Sequence, residues 1–255
     1  MHPVYVHIKK ELSPFYAEEE ASAMAKWISS DILHLSTLEL YTGKDMNFST
    51  KEWEELEDIL RRLKQREPLQ YILQEASFCG MSFHVEQGVL IPRPETEELV
   101  EWIVSNYREA GQVRILDIGT GSGCIPVSLA QLLPEAQVSS CDVSAEALRI
   151  AATNVERYGD KVTLFCADIL KEEFPECQVD VLVSNPPYIT ESERTDMEAN
   201  VLDWEPELAL FVPDSDPLRF YRRIARKGLD WLSEGGALYL SLIHISEPTR
   251  LQLIS

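Results

Sequence analysis

Asp117-Ile118-Gly119-Thr120-Gly121-Ser122-Gly123 closes the apolar run 113–118 and opens the apolar segment 124–133, so three glycines fall where a strand becomes a helix. Without Cβ atoms the backbone there can turn tightly and let a ligand approach. The alternation continues outward: strands are predicted over 137–141, 162–166, 179–183 and 237–240, with helices over 145–158 and 217–232. Alternating strands and helices imply an α/β parallel sheet covered on both faces, whose ligands bind beyond the carboxyl ends of the strands. The glycine loop lies at such an end.

Other chemistry-bearing residues fall at the same ends. Asp142 closes the next strand, about 20 residues on, where a carboxylate can accept from both hydroxyls of a ribose; it also stands two residues before Ser144, a helix-cap candidate. Asp168 ends the third strand, where it or the Ile169 amide can meet a purine ring, or where it can simply make a turn. Asp117 sits inside the motif strand and can accept from a ligand amino group or from loop amides. After 179–183 comes Asn185-Pro186-Pro187-Tyr188. Each proline fixes φ and donates no N–H, so this turn presents the Asn185 side-chain amide and the Pro186 carbonyl as acceptors for an NH2 group. The Tyr188 ring can cover a cationic ligand, because an aromatic face attracts positive charge. The alternative for the whole segment is a rigid turn.

Upstream, residues 1–75 are predicted as a helical N-terminal domain. Ser49 and Glu52 form a capping box, and Trp53, Leu56, Ile59, Leu60 and Leu63 then make one apolar stripe that Pro68 ends. An earlier helix near 16–32 carries Ala21, Met24, Ala25, Trp27 and Ile28; Trp27 and Trp53 are read as core. Over 77–91 the period shortens to two, with Phe78, Met81, Phe83, Val85, Val89 and Leu90 around Gly80 and Gly88, which predicts a β-hairpin. Residues 76–93 are the predicted linker and 94–240 the second domain. Its first helix begins near Pro94, with an acidic first turn and Leu99, Val100, Ile103, Val104 and Tyr107 on one face. Arg93 and Glu95 are read as an ion pair of the linker or as ligand contacts.

The 255 residues are 45% hydrophobic, enough for a large domain and a small one. Lys+Arg 23 against Asp+Glu 43 leaves a net charge of −20, which disfavours nucleic acid and anionic membranes as partners. Cys79, Cys124, Cys141, Cys166 and Cys177 lack metal-ligand or disulfide spacing, so reduced thiols and no metal are expected. No long apolar stretch or signal-peptide layout appears, and a cytoplasmic monomer is expected.

Residues 68–73, 89–96 (Val-Leu-Ile-Pro-Arg-Pro-Glu-Thr), 117–124 and 184–189 (Ser-Asn-Pro-Pro-Tyr-Ile) together resemble the protein-(glutamine amide) methyltransferases that modify peptide-chain release factors. The resemblance extends to about residue 240. It implies a helical N-terminal domain that helps to dock the substrate, a hairpin linker and a seven-stranded Rossmann-like methyltransferase sheet. It implies S-adenosyl-L-methionine as cofactor, held by Asp117, Gly119, Thr120, Gly121, Ser122, Gly123, Asp142 and Asn185, with Asp168 and Ile169 near adenine. Asn185, Pro186, Pro187 and Tyr188 are then expected to grip the glutamine of a Gly-Gly-Gln loop in a bacterial release factor, with Asn185, Pro186 and Tyr188 serving catalysis. A ribosomal-protein glutamine, an adenine amino group, and a noncatalytic cofactor- or release-factor-binding role are the alternatives.

After Leu240 the chain departs from that pattern. Residues 241–255 read as a non-native, adapter-like tail in place of a final helix and two strands, so truncated C-terminal strands are expected and His244 is no catalytic candidate.

Overall fold

The computed structural model describes residues 1–43, 48–171 and 178–241. Cys177, His244 and the expectations for the tail beyond residue 241 lie outside the described residues. The chain divides into two compact units, Met1–Leu73 and Gln74–Ser255.

The first unit is helical: α1 (Pro3–Leu12), α2 (Glu18–Trp27) running into a π-helical turn Ile28–Ile32, α3 (Thr37–Thr42), α4 (Thr50–Lys64) and α5 (Leu69–Leu73). Ser49 caps α4 through the reciprocal bonds with Glu52, and Ser36 caps α3 with Glu39 in the same way. Ile8, Leu12, Ala21, Ala25, Ile28, Leu56, Leu60 and Leu63 bury completely or nearly so in one core. Truncating any of these leucines to alanine costs about 2–5 kcal/mol, because the cavity left behind collapses only partly. Trp53 departs from the expected stripe. It is 39% exposed and meets Phe48 and His7 edge to face at the rim, because it lies in the first turn of α4, at the end of the stripe that Leu56, Leu60 and Leu63 continue.

The second unit starts with the hairpin β1 (Glu75–Phe78) and β2 (Met81–His84), turned by Cys79 and Gly80, both at positive φ. The predicted hairpin is longer than the observed one: 85–91 forms no strand, and its later part, 88–91, lines a cavity wall. Then follow α6 (Pro94–Tyr107), β3 (Arg114–Ile118), α7 (Cys124–Leu132), β4 (Gln137–Asp142), α8 (Ala145–Arg157), β5 (Val162–Cys166) and β6 (Val179–Ser184). After β6 come β7 (Ile189–Thr190), a 3-10 turn Glu191–Asp196, α9 (Ala199–Trp204), α10 (Glu207–Leu210), β8 (Phe211–Val212), α11 (Arg219–Trp231) and β9 (Leu232–Leu240).

Five of the described strands form a wholly parallel sheet in the order β5-β4-β3-β6-β9. Side chains alternate between its faces. Ile115, Val181 and Val183 join a core with Leu99, Ile103, Val127 and Leu129, while Leu116, Ile118 and Leu182 join another with Ile224 and Trp231 of α11. The hairpin belongs to the same unit: the Asn154 side chain of α8 exchanges hydrogen bonds with the His84 backbone at 2.7 and 2.9 Å. From β3 the chain first adds β4 and β5 on one side, then crosses to place β6 on the other. That reversal opens a crevice at the carboxyl ends of β3 and β6, the position where open α/β sheets bind ligands.

Candidate active site

The crevice holds a cavity with about 1120 Å³ of empty space, counted out to its open mouth. It is bordered by the loop after β3, the end of β4, Ala167–Ile169 after β5, the turn after β6, the strap 88–93 and the segment 206–209.

The glycine loop is fastened from below. The Gly119 and Thr120 amides donate to the Cys141 carbonyl at 2.9 and 3.0 Å, and the Gly123 amide to Thr120 at 2.8 Å. Two glycines have different reasons for being glycine. Gly123 (φ +82°) caps α7, and a Cβ there would stand 3.2 Å from the Ala151 Cβ, so this position serves close packing of α7 on α8. Gly121 (φ +52°) has no atom within 4 Å of where a Cβ would lie, so its bare backbone faces open space a ligand can enter.

Asp142 ties the glycine loop to the start of α8. Its Oδ2 accepts from the Gly121 amide at 3.0 Å and its Oδ1 from the Ser144 amide at 2.9 Å, while Ser144 caps α8 through the Ala147 amide. The half-buried carboxylate also lines the cavity, with lone pairs left for a diol. Asp117 is wholly buried and is not part of the cavity wall. Its Oδ2 accepts the Ser140 hydroxyl at 2.6 Å, a pairing set by the β3–β4 register that aligns the two residues. Burial pushes its pKa up to about 7, Ser140 opposes that rise and the nearby Asp142 charge adds to it.

Asp168 makes a turn, its Oδ1 accepting the Leu170 amide at 2.9 Å, and still lines the cavity with the buried Ile169. Arg223 of α11 holds this turn through the Ile169 and Lys171 carbonyls at 2.8 and 2.5 Å. On the opposite side, Ser184 at the end of β6 donates to the Ile118 carbonyl at 2.6 Å, locking the two strand ends together. The next residue, Asn185, keeps its Oδ1 buried with no hydrogen-bond partner among the described residues. An unsatisfied amide acceptor costs about 1–3 kcal/mol. Asn185, Pro186 and Pro187 line the cavity; Tyr188 does not. Its half-buried ring lies where burial pushes the phenol up to about 12, opposed by the Arg93 charge. The linker ion pair also differs from expectation, because Arg93 pairs with Glu205 rather than Glu95.

Several wall residues carried no motif. Leu208, Phe220 and Ile224 border the cavity beside Leu90 and Thr96 of the 89–96 segment, and Glu205 bonds the Ile91 amide of that segment. Helical or strand periodicity marks such residues as apolar or exposed, but their convergence depends on crossings made far apart in the chain.

The donor set suits S-adenosyl-L-methionine: a carboxylate for the ribose, open backbone at Gly121, apolar walls at Leu90, Ala167, Ile169 and Phe220 for the adenine and thioether region, and an unsatisfied acceptor at Asn185. Known proteins agree. Residues 95–203 match the family model "Methyltransferase small domain" and residues 5–73 match "PrmC N-terminal domain". A release factor glutamine methyltransferase from Bacteroides thetaiotaomicron is 50% identical over 243 residues, covering 95% of this chain and 87% of the relative. Counterparts of the same name from Flavobacterium psychrophilum and Streptococcus pneumoniae are 40% and 39% identical, covering 91% and 88% of this chain and 82% and 79% of their own lengths. By this identity over nearly its whole length, the chain belongs to the release factor glutamine methyltransferase family.

Proposed function

We propose that the protein transfers a methyl group from S-adenosyl-L-methionine to the side-chain amide nitrogen of the glutamine in the Gly-Gly-Gln loop of bacterial peptide-chain release factors. The observation that carries this reading is the pairing of Ile118 with Ser184 in parallel register: it sets the glycine loop and the Asn185 turn at adjacent strand ends on one cavity. A site for the methyl donor and a site for a planar amide then share one wall.

Gly119, Thr120, Gly121, Ser122, Asp142, Asp168 and Ile169 would hold the cofactor, with Asp117 supporting the loop from beneath and Gly123 packing it on α8. When bound, the cofactor supplies an electrophilic methyl group on a sulfonium. An amide nitrogen delocalises its lone pair into its carbonyl and is a weak nucleophile, so the protein must turn that lone pair towards the methyl carbon. Asn185 Oδ1 and the Pro186 carbonyl accept the two N–H groups of the glutamine amide, which favours pyramidal nitrogen during attack. Asn185 Oδ1 is already stripped of other partners, so pairing with the substrate satisfies it rather than displacing a bond. Positioning and preorganised acceptors supply the rate enhancement. The proton leaves after transfer, when the nitrogen is far more acidic. Tyr188 supports the turn, and the helical unit Met1–Leu73 docks the release factor. The enzyme acts as a cytoplasmic monomer; among the described residues no helix is long and apolar enough to cross a membrane.

The test is incubation of the purified protein with S-adenosyl-L-methionine and purified release factors, followed by mass mapping. Monomethylation of the Gly-Gly-Gln glutamine supports the reading. Modification of a ribosomal-protein glutamine or of adenine in DNA, with release factors untouched, would overturn it, as would cofactor binding without transfer.

A further inference from the structure

Glu205 buries a carboxylate whose side chain is only 2% exposed, and no step above uses it. Its Oε2 accepts the Ile91 amide at 3.1 Å and its Oε1 pairs with the Arg93 guanidinium, partners more than 110 residues away in sequence. Ile91 and Arg93 belong to the strap 88–93, while Pro206, Leu208 and Ala209 follow Glu205 directly; both groups line the cavity with Asn185, Pro186 and Pro187. The segment carrying Glu205 is itself tied to the Asn185 turn. β7, which begins one residue after Tyr188, pairs with β8 through Ile189 and Phe211, and Arg194 stacks on Phe211 while bonding Glu207 at 2.7 Å. Arg93 and Glu205 both act electrostatically on the Tyr188 phenol, next to the Asn185 turn.

Burying the Glu205 carboxylate beside a partly exposed Arg93 is costly to desolvate and gives little net stability, so a pair at this cavity wall points to geometry. We propose that Glu205 is a positioning residue: by clasping Ile91 and Arg93 to the segment 205–209, it holds two walls of the cavity at the spacing the substrate glutamine needs beside Asn185. The proposal rests on the amide-transfer reading for its substrate, while the clasp itself is a property of the protein alone.

Glu205→Gln keeps the shape and one acceptor but removes the charge. Single-turnover transfer to a release factor, at saturating cofactor and substrate, should fall at least about tenfold, with cofactor affinity within roughly threefold of the parent protein. Arg93→Gln should fall similarly, and the double variant should lose no more than the worse single, as for two residues acting as one unit. Parent-like transfer by Glu205→Gln, losses that multiply in the double variant, or a loss matched by cofactor affinity would overturn the proposal. Amide hydrogen exchange provides an independent arm that needs no substrate. In Glu205→Ala, Ile91 should exchange at least about tenfold faster while the β3 amides keep their protection. Unchanged protection at Ile91, or loss of protection throughout the sheet, would overturn the clasp. If the parent protein methylates no release factor, the functional reading falls and the exchange result alone decides the clasp.

Discussion

Replacing Asp117 with asparagine isolates the energetic consequence of burying a carboxyl beneath the glycine loop. The folded protein pushes this group up to about 7 from an ordinary value of 3.8, chiefly through burial. A difference of about 3 units at about 1.4 kcal/mol each gives roughly 4 kcal/mol. The sign follows from proton binding: the folded state holds the proton more tightly than the unfolded chain, so the favourable contribution is complete below about pH 4 and is lost as pH rises to about 7. Asparagine stays neutral throughout but puts an NH2 where Oδ1 lies without a hydrogen-bond partner, at a cost of about 1–3 kcal/mol. The variant should therefore be more stable than the parent at pH 8 by about 2 kcal/mol, or about 5 °C in melting temperature for a domain of this size. Near pH 5 the gain should shrink to about zero, because most of the ionisation penalty is then absent from the parent too. Thermal unfolding of both proteins without cofactor, from pH 5 to pH 8, reads the difference while shared titrations cancel. A stability difference that stays flat across that range, or a variant less stable at pH 8, would refute the reasoning.

Asp142→Ala removes the acceptor of the Gly121 amide together with the carboxylate proposed to meet the ribose, so calorimetry should show S-adenosyl-L-methionine affinity reduced by roughly 30-fold or more. Asp142→Asn, which keeps one acceptor, should lose less; equal losses, or an alanine variant within twofold of the parent, would contradict the assignment. Gly123→Val places a branched side chain at positive φ against Ala151 and should lower stability by about 2–4 kcal/mol, measured as a shift in denaturation midpoint at unchanged slope. A midpoint equal to the parent's would show that the α7–α8 contact yields freely.

The parallel sheet was legible because its signals are local. The glycine loop, the Ser144 cap and the apolar runs of β3, β4, β5 and β6 each declare themselves within about ten residues. The short elements after β6 were not. β7 and β8 are two residues each, below the length at which period-two alternation can register, and α10 spans a single turn. Val89 and Leu90 read as hairpin residues because both are apolar and follow Gly88, yet their surroundings are cavity and core rather than a strand. Asp117 could be placed in its strand by sequence, but its partner Ser140 emerges only from the β3–β4 register. The Glu205–Arg93 clasp was least accessible of all, because an acidic residue before a proline carries no pattern until the segment 189–212 folds back on the strap. Trp53 shows the opposite error: helical spacing put it on the apolar stripe, but an aromatic at the stripe's edge packs on neighbouring rings and stays partly in solvent.

The claim on which the functional account depends is that Asn185 accepts from the reacting amide. Asn185→Ala leaves the glycine loop and Asp142 intact, so single-turnover methyl transfer to a release factor at saturating cofactor and substrate measures that contact alone. One preorganised transition-state contact is worth about 3 kcal/mol, and transfer should fall by roughly 100-fold or more while cofactor affinity, read by calorimetry, changes far less. Transfer near the rate of the parent protein would contradict the amide-gripping mechanism.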